Sequence, residues 1–285
     1  GKNLIRGFAK KGYKVIVPYQ KQINEANLRL LGSLGQIVPF HFSSLKNTKI
    51  LSLLNDVNIC INLKTSWNPK KSKLTESIFN FNLDLIKMIK LSTSIEKFIF
   101  FSGLGIENRS TFRNEIISKT EDIILNELDN AFVIRPSVIL GNRDQFLSNL
   151  TPLFKMSFFI PLFGSGNKKF QPVLIDDIER FVSKLILTSN CSEKLFELAG
   201  PDVFTYKKFF SQIAEILCKK RVLVPIPMKI VKLVVKIAEK TPFSPINSEQ
   251  LALFETDNIL NSKFPGFDYF NIDPKKTISV IKKSL

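Results

Sequence analysis

Short apolar runs that alternate with stretches of helical periodicity constrain this chain most. The first 19 residues set the pattern (GKNLIRGFAKKGYKVIVPY). Leu4, Ile5 and Phe8 recur at helical spacing and share one face. Lys10 and Lys11 stand in the last turn, where cations suit the helix dipole, and Gly12 follows as a C-cap. Residues 13–17 (YKVIV) then read as a β-branched strand, short and apolar enough for a parallel sheet covered on both faces.

The alternation continues. Residues 37–42 read as a strand whose Pro39 argues for an outer position or a bulge. Further strands are expected at 57–63 (VNICINL), 98–101 (FIFF) and 131–136 (AFVIRP). Helices are expected at 24–31, closed by Gly32, from Ser44 to Leu54, at 74–91 and at 115–128, with residues 64–73 as a loop. Apolar strands alternating with helices mean an α/β fold with a doubly wound parallel sheet. Its ligand crevice lies at the carboxyl ends of the strands, here 18–20, 63–65, 102–103 and 136–137.

A helix that feeds a strand is the second half of a βαβ unit, so a strand and a Gly-rich turn are expected ahead of Gly1; a processed N-terminus is the alternative. Residues 1–150 are assigned to this domain, and 151–285 mostly to a small C-terminal α+β lobe with some segments returning to the sheet. In that half Asp176 and Asp177 open a helix, 195–198 form a strand, Gly200 and Pro201 turn it, and Thr205 caps a helix running to about Lys219.

Hydrophobic residues make up 44% of the chain and charged ones 23%, a globular composition with no apolar run that spans a bilayer and no signal peptide at the start as it stands. Lys and Arg number 41 against 25 Asp and Glu, giving +16. Either this charge meets an anionic partner, or it is a Lys-rich composition with no such role. The lysines are dispersed, with no Arg-rich tract and no aromatic ladder, so nucleic acid is not an expected partner. Cys60, in an apolar strand, and Cys218, in an apolar helix, read as buried free thiols, which fits a reducing compartment. One histidine, His41, leaves no metal-ligating set.

A dinucleotide site needs backbone N–H groups at a helix N-terminus, and only Gly1 stands where the turn's last glycine belongs. Beyond the strand at 13–17, an acid would hold an adenosine ribose hydroxyl; this chain has Tyr19, Gln20 and Lys21. Lys21 leans toward NADP, with plain loop residues as the other reading. Hydride transfer at a hydroxyl calls for a tyrosine four residues before a lysine on one helix face. Lys119 is on the appropriate helix, but Glu115 occupies the tyrosine's place, so no convincing catalytic group is present; Lys119 and Ser102 remain as remnants.

Residues 135–147 (RPSVILGNRDQFL), 170–178 (FQPVLIDDI) and 198–206 (LAGPDVFTY) resemble three segments of atypical short-chain dehydrogenase/reductases, the NAD-dependent epimerase/dehydratase superfamily. With 15–19 (VIVPY), 34–37 (LGQI) and 61–63 (INL), the resemblance is closest to the NAD(P)H-binding accessory subunit of respiratory complex I and its bacterial homologues. It covers nearly the whole chain and implies a Rossmann-like domain that holds NAD or NADP without turning it over. The matched nucleotide-lining positions are Gly1, Gln20, Asn62, Leu63, Lys64, Asn82, Ser102, Lys119, Pro136, Ser137 and Val138. Gln20 replaces an arginine that meets the 2′-phosphate in NADPH-binding relatives, and Lys64 stands where relatives have a glycine. Respiratory complex subunits are the implied partners, on the cytoplasmic or mitochondrial matrix side of a membrane. A soluble epimerase, dehydratase or reductase acting on a nucleotide sugar or carbonyl compound is the alternative; a nucleotide-free scaffold is the third.

Residues 228–240 form a basic amphipathic helix. Lys229, Lys232, Lys236 and Lys240 lie on one face, and Ile230, Val231, Val234, Val235, Ile237 and Ala238 on the other. It suits either an anionic membrane surface or partner, or a lobe helix with its apolar face in the core.

Overall fold

The computed structural model describes residues 1–20, 23–45, 48–141, 144–239, 241 and 246–284. Lys21, Lys240, and Asn142 and Arg143 of the 135–147 segment lie outside the described residues. The first half runs α1 (Lys2–Lys10), β1 (Val15–Tyr19), α2 (Glu25–Arg29), β2 (Ile37–His41), α3 (Thr48–Asn55), β3 (Ile59–Asn62), α4 (Lys71–Leu74), α5 (Phe81–Leu91), β4 (Lys97–Phe101), α6 (Phe112–Glu127) and β5 (Ala131–Pro136). There follow β6 (Ile139–Leu140), α7 (Gln145–Met156), β7 (Phe159–Phe163), β8 (Lys169–Phe170), β9 (Val173–Leu174), α8 (Ile175–Leu187), β10 (Leu195–Leu198) and β11 (Phe204–Thr205). The chain closes with α9 (Tyr206–Ile216), β12 (Val222–Ile226), α10 (Met228–Ala238), α11 (Ser248–Leu251) and α12 (Thr277–Ser284).

The main sheet is parallel, in the order β10-β5-β4-β3, and β1 pairs in parallel with β2 beside it. β1 and β3 are not hydrogen-bonded to each other. Val15 of β1 and Ile61 of β3 nevertheless pack against the same apolar cluster.

Alternation along the strands builds two cores. Phe98, Phe100, Ala131 and Val133 face one side, with Ile50 and Leu54 of α3, Leu85, Ile86 and Ile89 of α5, and Ile116, Ile117 and Ile124 of α6. Ile99, Phe132, Ile134, Phe196 and Leu198 face the other, with Leu4 and Phe8 of α1 and Ile178, Phe181, Val182 and Leu185 of α8. Each fully buried Phe or Ile contributes about 1.5–3 kcal/mol on leaving water. With both faces covered, every β5 residue is buried, which is why its sequence shows no polar alternation. This is the expected α/β doubly wound fold. A third core joins Leu140, Phe154, Ile160, Phe170, Phe204 and Phe209 with Ile281, and α10 adds a small cluster through Val231, Val235 and Leu251.

Local expectations divide. Gly12 has φ +88, the left-handed conformation that ends α1, and the Thr205 hydroxyl accepts from the Lys208 amide at the start of α9. Gly32 is not a cap; the positive φ falls at Gly35. A Cβ at Gly32 would sit 3.0 Å from the Ala9 Cβ and 2.9 Å from Gln36 Oε1, so close packing of α1, not chain reversal, requires the glycine there. α3 is described from Thr48, and residues 46 and 47, between it and the expected cap at Ser44, lie outside the described residues; α4 starts inside the expected loop. Cys218 is exposed, past the end of α9 at φ +52, and not buried in the helix.

Candidate functional site

All strands of the main sheet are parallel, so the ends of β3, β4, β5 and β10 share one edge, as the order of the chain requires. Gly1 precedes α1, and its carbonyl accepts from the Ile5 amide at 3.0 Å. A Cβ on Gly1 would lie 3.7 Å from Leu63 Cδ1, which sets the start of α1 beside the end of β3.

The helix after β3 positions Asn82. α4 passes through a π-helical stretch, Thr75–Asn80, into α5, and this widened turn precedes the Asn82 side chain. Asn82 is buried; its Nδ2 donates to the Ile78 carbonyl at 2.7 Å, and its Oδ1 accepts from Asn62 Nδ2 at 2.7 Å. The other atom of the Asn62 amide, Oδ1, accepts from the Lys64 backbone N–H at 2.9 Å, turning the chain away from β3.

Lys64 then crosses the mouth of the crevice. Its Nζ donates to Gln20 Oε1 at 2.5 Å and lies 3.6 Å from the centre of the Phe81 ring. Burial lowers its ammonium pKa from the ordinary value, against a smaller opposing effect of Glu76. Gln20 also donates from Nε2 to the Ser43 carbonyl at 3.3 Å. Tyr19 turns away: its hydroxyl is bonded to Glu25, which Arg29 also holds at 3.1 Å.

Ser102 and Ser137 follow β4 and β5. Their backbone amides donate to the Ile134 and Leu198 carbonyls, while each Oγ is buried without a hydrogen-bond partner. Pro136 accepts from the Leu104 amide, and Val138 from the Val173 amide. Orphaned buried hydroxyls are uncommon in a native interior and fit a polar ligand laid along this edge. Together with the start of α1 and the Lys64 ammonium, which among the described residues has no carboxylate partner, they make a lining that suits an anionic dinucleotide.

Lys64, Gln20, Asn62 and Asn82 are thus joined by hydrogen bonds, with Gly1 beside Leu63, and Ser102, Pro136 and Ser137 by strand register. Lys119 stands apart. Its Nζ donates to Glu115 Oε1 at 2.7 Å on the exposed side of α6. The Lys119 hydrogen bond, and then its charge, hold the Glu115 carboxyl below the ordinary range. Glu115 is therefore ionised at neutral pH and has no proton to give.

Two groups beside the site were not legible in the sequence. Arg113 donates from Nε to the Ser66 carbonyl and from Nη2 to Thr65 Oγ1, both at 2.9 Å, with its guanidinium 3.7 Å from the Trp67 ring centre. Burial pushes its pKa down to about 10, still cationic at pH 7. Asn247 and Glu249 of the α11 region bond the Trp67 carbonyl and the Arg113 amide, pinning the loop after β3 to the C-terminal part of the chain. Beneath the edge, Arg135 binds Glu121 through Nε and Nη2, at 3.0 and 2.6 Å, and reaches Glu107 and Glu197 through Nη1. The single tryptophan was a signal for the first group. The second rests on glutamates distant in sequence, so no spacing announces it.

Among the described residues, no group of three or more His, Cys, Asp or Glu is placed to hold a metal ion, and no helix is long and apolar enough to cross a membrane.

No protein-family model matches the chain. It is 27% identical to the Arabidopsis thaliana NADH dehydrogenase (ubiquinone) 1 alpha subcomplex subunit 9, mitochondrial, over 97% of this chain and 72% of that protein. Its identity to the Neurospora crassa NADH-ubiquinone oxidoreductase 40 kDa subunit, mitochondrial, is 21%, covering 96% of this chain and 72% of that one. Among solved structures, it superposes on dTDP-glucose 4,6-dehydratase from Bacillus anthracis, crystallised with NAD, with a TM-score of 0.71 at 15% identity over 100% of this chain and 91% of that one. The resemblance to these mitochondrial NADH-ubiquinone oxidoreductase subunits therefore extends over nearly the whole chain, on a fold shared with that dehydratase.

Proposed function

We propose that this protein binds a nicotinamide dinucleotide along the carboxyl edge of its sheet and serves as an accessory or assembly subunit of a respiratory NADH:quinone oxidoreductase, without turnover of its own. The observation that carries the reading is the end-to-end likeness to complex I subunits. The site supports it. Ser102 and Ser137 offer unpartnered hydroxyls to a bound nucleotide, Asn62 and Asn82 fix the turn after β3, and Gly1 leaves room at the start of α1. A bound nicotinamide supplies hydride chemistry, which at a carbonyl or hydroxyl needs a partner that moves a proton. Glu115, ionised and held by Lys119, does not provide one. The division near residue 150 belongs to the same reading: the third core is built largely from later residues, while β10 returns to the sheet.

A peripheral membrane position is the finer part of the proposal. Ile230, Leu233, Val234 and Ile237 of α10 are 53%, 61%, 57% and 60% exposed, at i, i+3, i+4 and i+7. Only Val231 and Val235 of that helix are buried, so the helix covers its cluster with one edge of its apolar face and leaves the rest to solvent. Lys229 and Lys236 flank the stripe, and Lys232 pairs with Glu255 at 2.6 Å. An apolar stripe edged with lysines suits an anionic bilayer surface. The relatives' names include "mitochondrial", which favours a mitochondrial membrane.

The test is native electrophoresis of mildly solubilised membranes carrying the tagged protein. Co-migration with NADH:quinone oxidoreductase activity is expected. Migration only as free protein, or turnover of a nucleotide sugar or carbonyl compound with NAD(P)H by the purified protein, would overturn the reading.

A further inference from the structure

We infer that Lys64 reads the phosphate that distinguishes NADPH from NADH, so that the cation for this task comes from the end of β3 and not from the loop after β1. The inference rests on the dinucleotide reading above and extends it to one residue's selectivity.

In doubly wound folds, the residue just past the second strand of the unit meets the adenosine ribose: an acid accepts from the 2′-hydroxyl, and a nearby cation accommodates a 2′-phosphate. Gln20 holds that place here, directly after β1. It carries no charge and selects neither cofactor by itself. The Lys64 ammonium, however, reaches this place from across the crevice and donates to Gln20 Oε1 at 2.5 Å. It is thus within a hydrogen bond of the group that faces the ribose.

Lys64 is also held there without being neutralised. Its stem follows a chain turned by the Asn62 side chain, and its head rests on the Phe81 ring at 3.6 Å. Among the described residues, no carboxylate lies within ion-pair reach of it. Glu76, the acid that influences it most, is taken by Lys73 at 3.3 Å. A half-buried ammonium satisfied only by an amide oxygen and an aromatic face retains two N–H donors and a full charge for an incoming dianion. The Phe81 contact favours the cation without competing for those donors.

The test is calorimetric titration of NADH and NADPH into the protein expressed from its complete gene, as wild type, Lys64→Gln and Gln20→Glu. Wild type should bind NADPH about tenfold more tightly than NADH, the order of one charge-assisted hydrogen bond. Lys64→Gln should remove that gap by weakening NADPH alone. Gln20→Glu should reverse it, since the new carboxylate pairs with Lys64 and accepts from the free 2′-hydroxyl. Thermal unfolding of each variant reports whether the fold is intact. If both dinucleotides bind but the gap is absent, or survives Lys64→Gln, the assignment of Lys64 is wrong while the dinucleotide reading stands. If neither dinucleotide binds wild type, the dinucleotide reading fails, and this inference with it.

Discussion

Replacing Arg135 by methionine should destabilise the protein by about 3–5 kcal/mol at neutral pH, the cost of leaving buried carboxylates without their counter-ion. Among the described residues, Arg135 is the only cation in contact with three glutamates: Glu121 at 2.6 Å, Glu107 at 3.2 Å and Glu197 at 3.3 Å. Glu121 and Glu197 are buried, and Glu197 Oε2 has no hydrogen-bond partner. Even with the arginine present, burial, and then the Glu107 charge, raise the Glu197 pKa above its ordinary value. A carboxyl whose folded pKa is raised binds its proton more tightly folded than unfolded. It therefore contributes stability at low pH and loses it as pH rises from the unfolded value through the folded one. Arg135 opposes that rise through its hydrogen bond and charge, so removing it raises the Glu197 carboxyl further, and the deficit of Arg135→Met should be small near pH 4, grow as pH rises, and then level off. Urea unfolding of both proteins at stepped pH reads this directly. A deficit below about 1 kcal/mol at pH 7, in the range of an exposed ion pair, or one independent of pH, would refute the reasoning. The consequence reaches the site, since this cluster ties α6 and β10 to β5 just before Pro136 and Ser137.

Asn82→Leu should cost about 1–3 kcal/mol in unfolding free energy by leaving Asn62 Nδ2 without its partner, and it should weaken nucleotide binding measured by titration. Leu233→Asp with Ile237→Asp should abolish sedimentation with anionic vesicles at low salt and leave the urea midpoint unchanged, whereas Val231→Ala should lower the midpoint, because only Val231 of these is buried. In the native protein Cys218, which is exposed, should react with a thiol reagent at pH 8 well before Cys60, whose thiol burial pushes up to about 12. Equal rates for the two would show that β3 is not covered as described.

The strands were legible because burial on both faces leaves little besides apolar residues in them; 98–101 and 131–136 announce themselves for that reason. So were the caps at Gly12 and Thr205, which are local chemistry. Gly32 misled because a glycine demanded by a neighbouring helix looks the same in sequence as one demanded by a turn. Lys64 could be placed at the rim, but its bond to Gln20 joins residues 44 positions apart. The exposed stripe of α10 was hidden for another reason. Periodicity shows that a helix has an apolar face, and only packing shows how much of that face is covered. Arg135 and its glutamates come from four separate elements that meet only after folding.

The central claim is that this chain holds a dinucleotide as a subunit and does not consume it. The most direct measurement is the nucleotide content of the respiratory NADH:quinone oxidoreductase isolated through a tag on this protein, determined by mass spectrometry after denaturation. The account predicts that NADP(H) or NAD(H) is released in proportion to this chain, and that the nucleotide is lost when Ser102 and Ser137 are both replaced by leucine while the other subunits still co-purify. Isolation of the complex with this chain present and no nucleotide attributable to it, or recovery of this chain free of every other subunit, would contradict it.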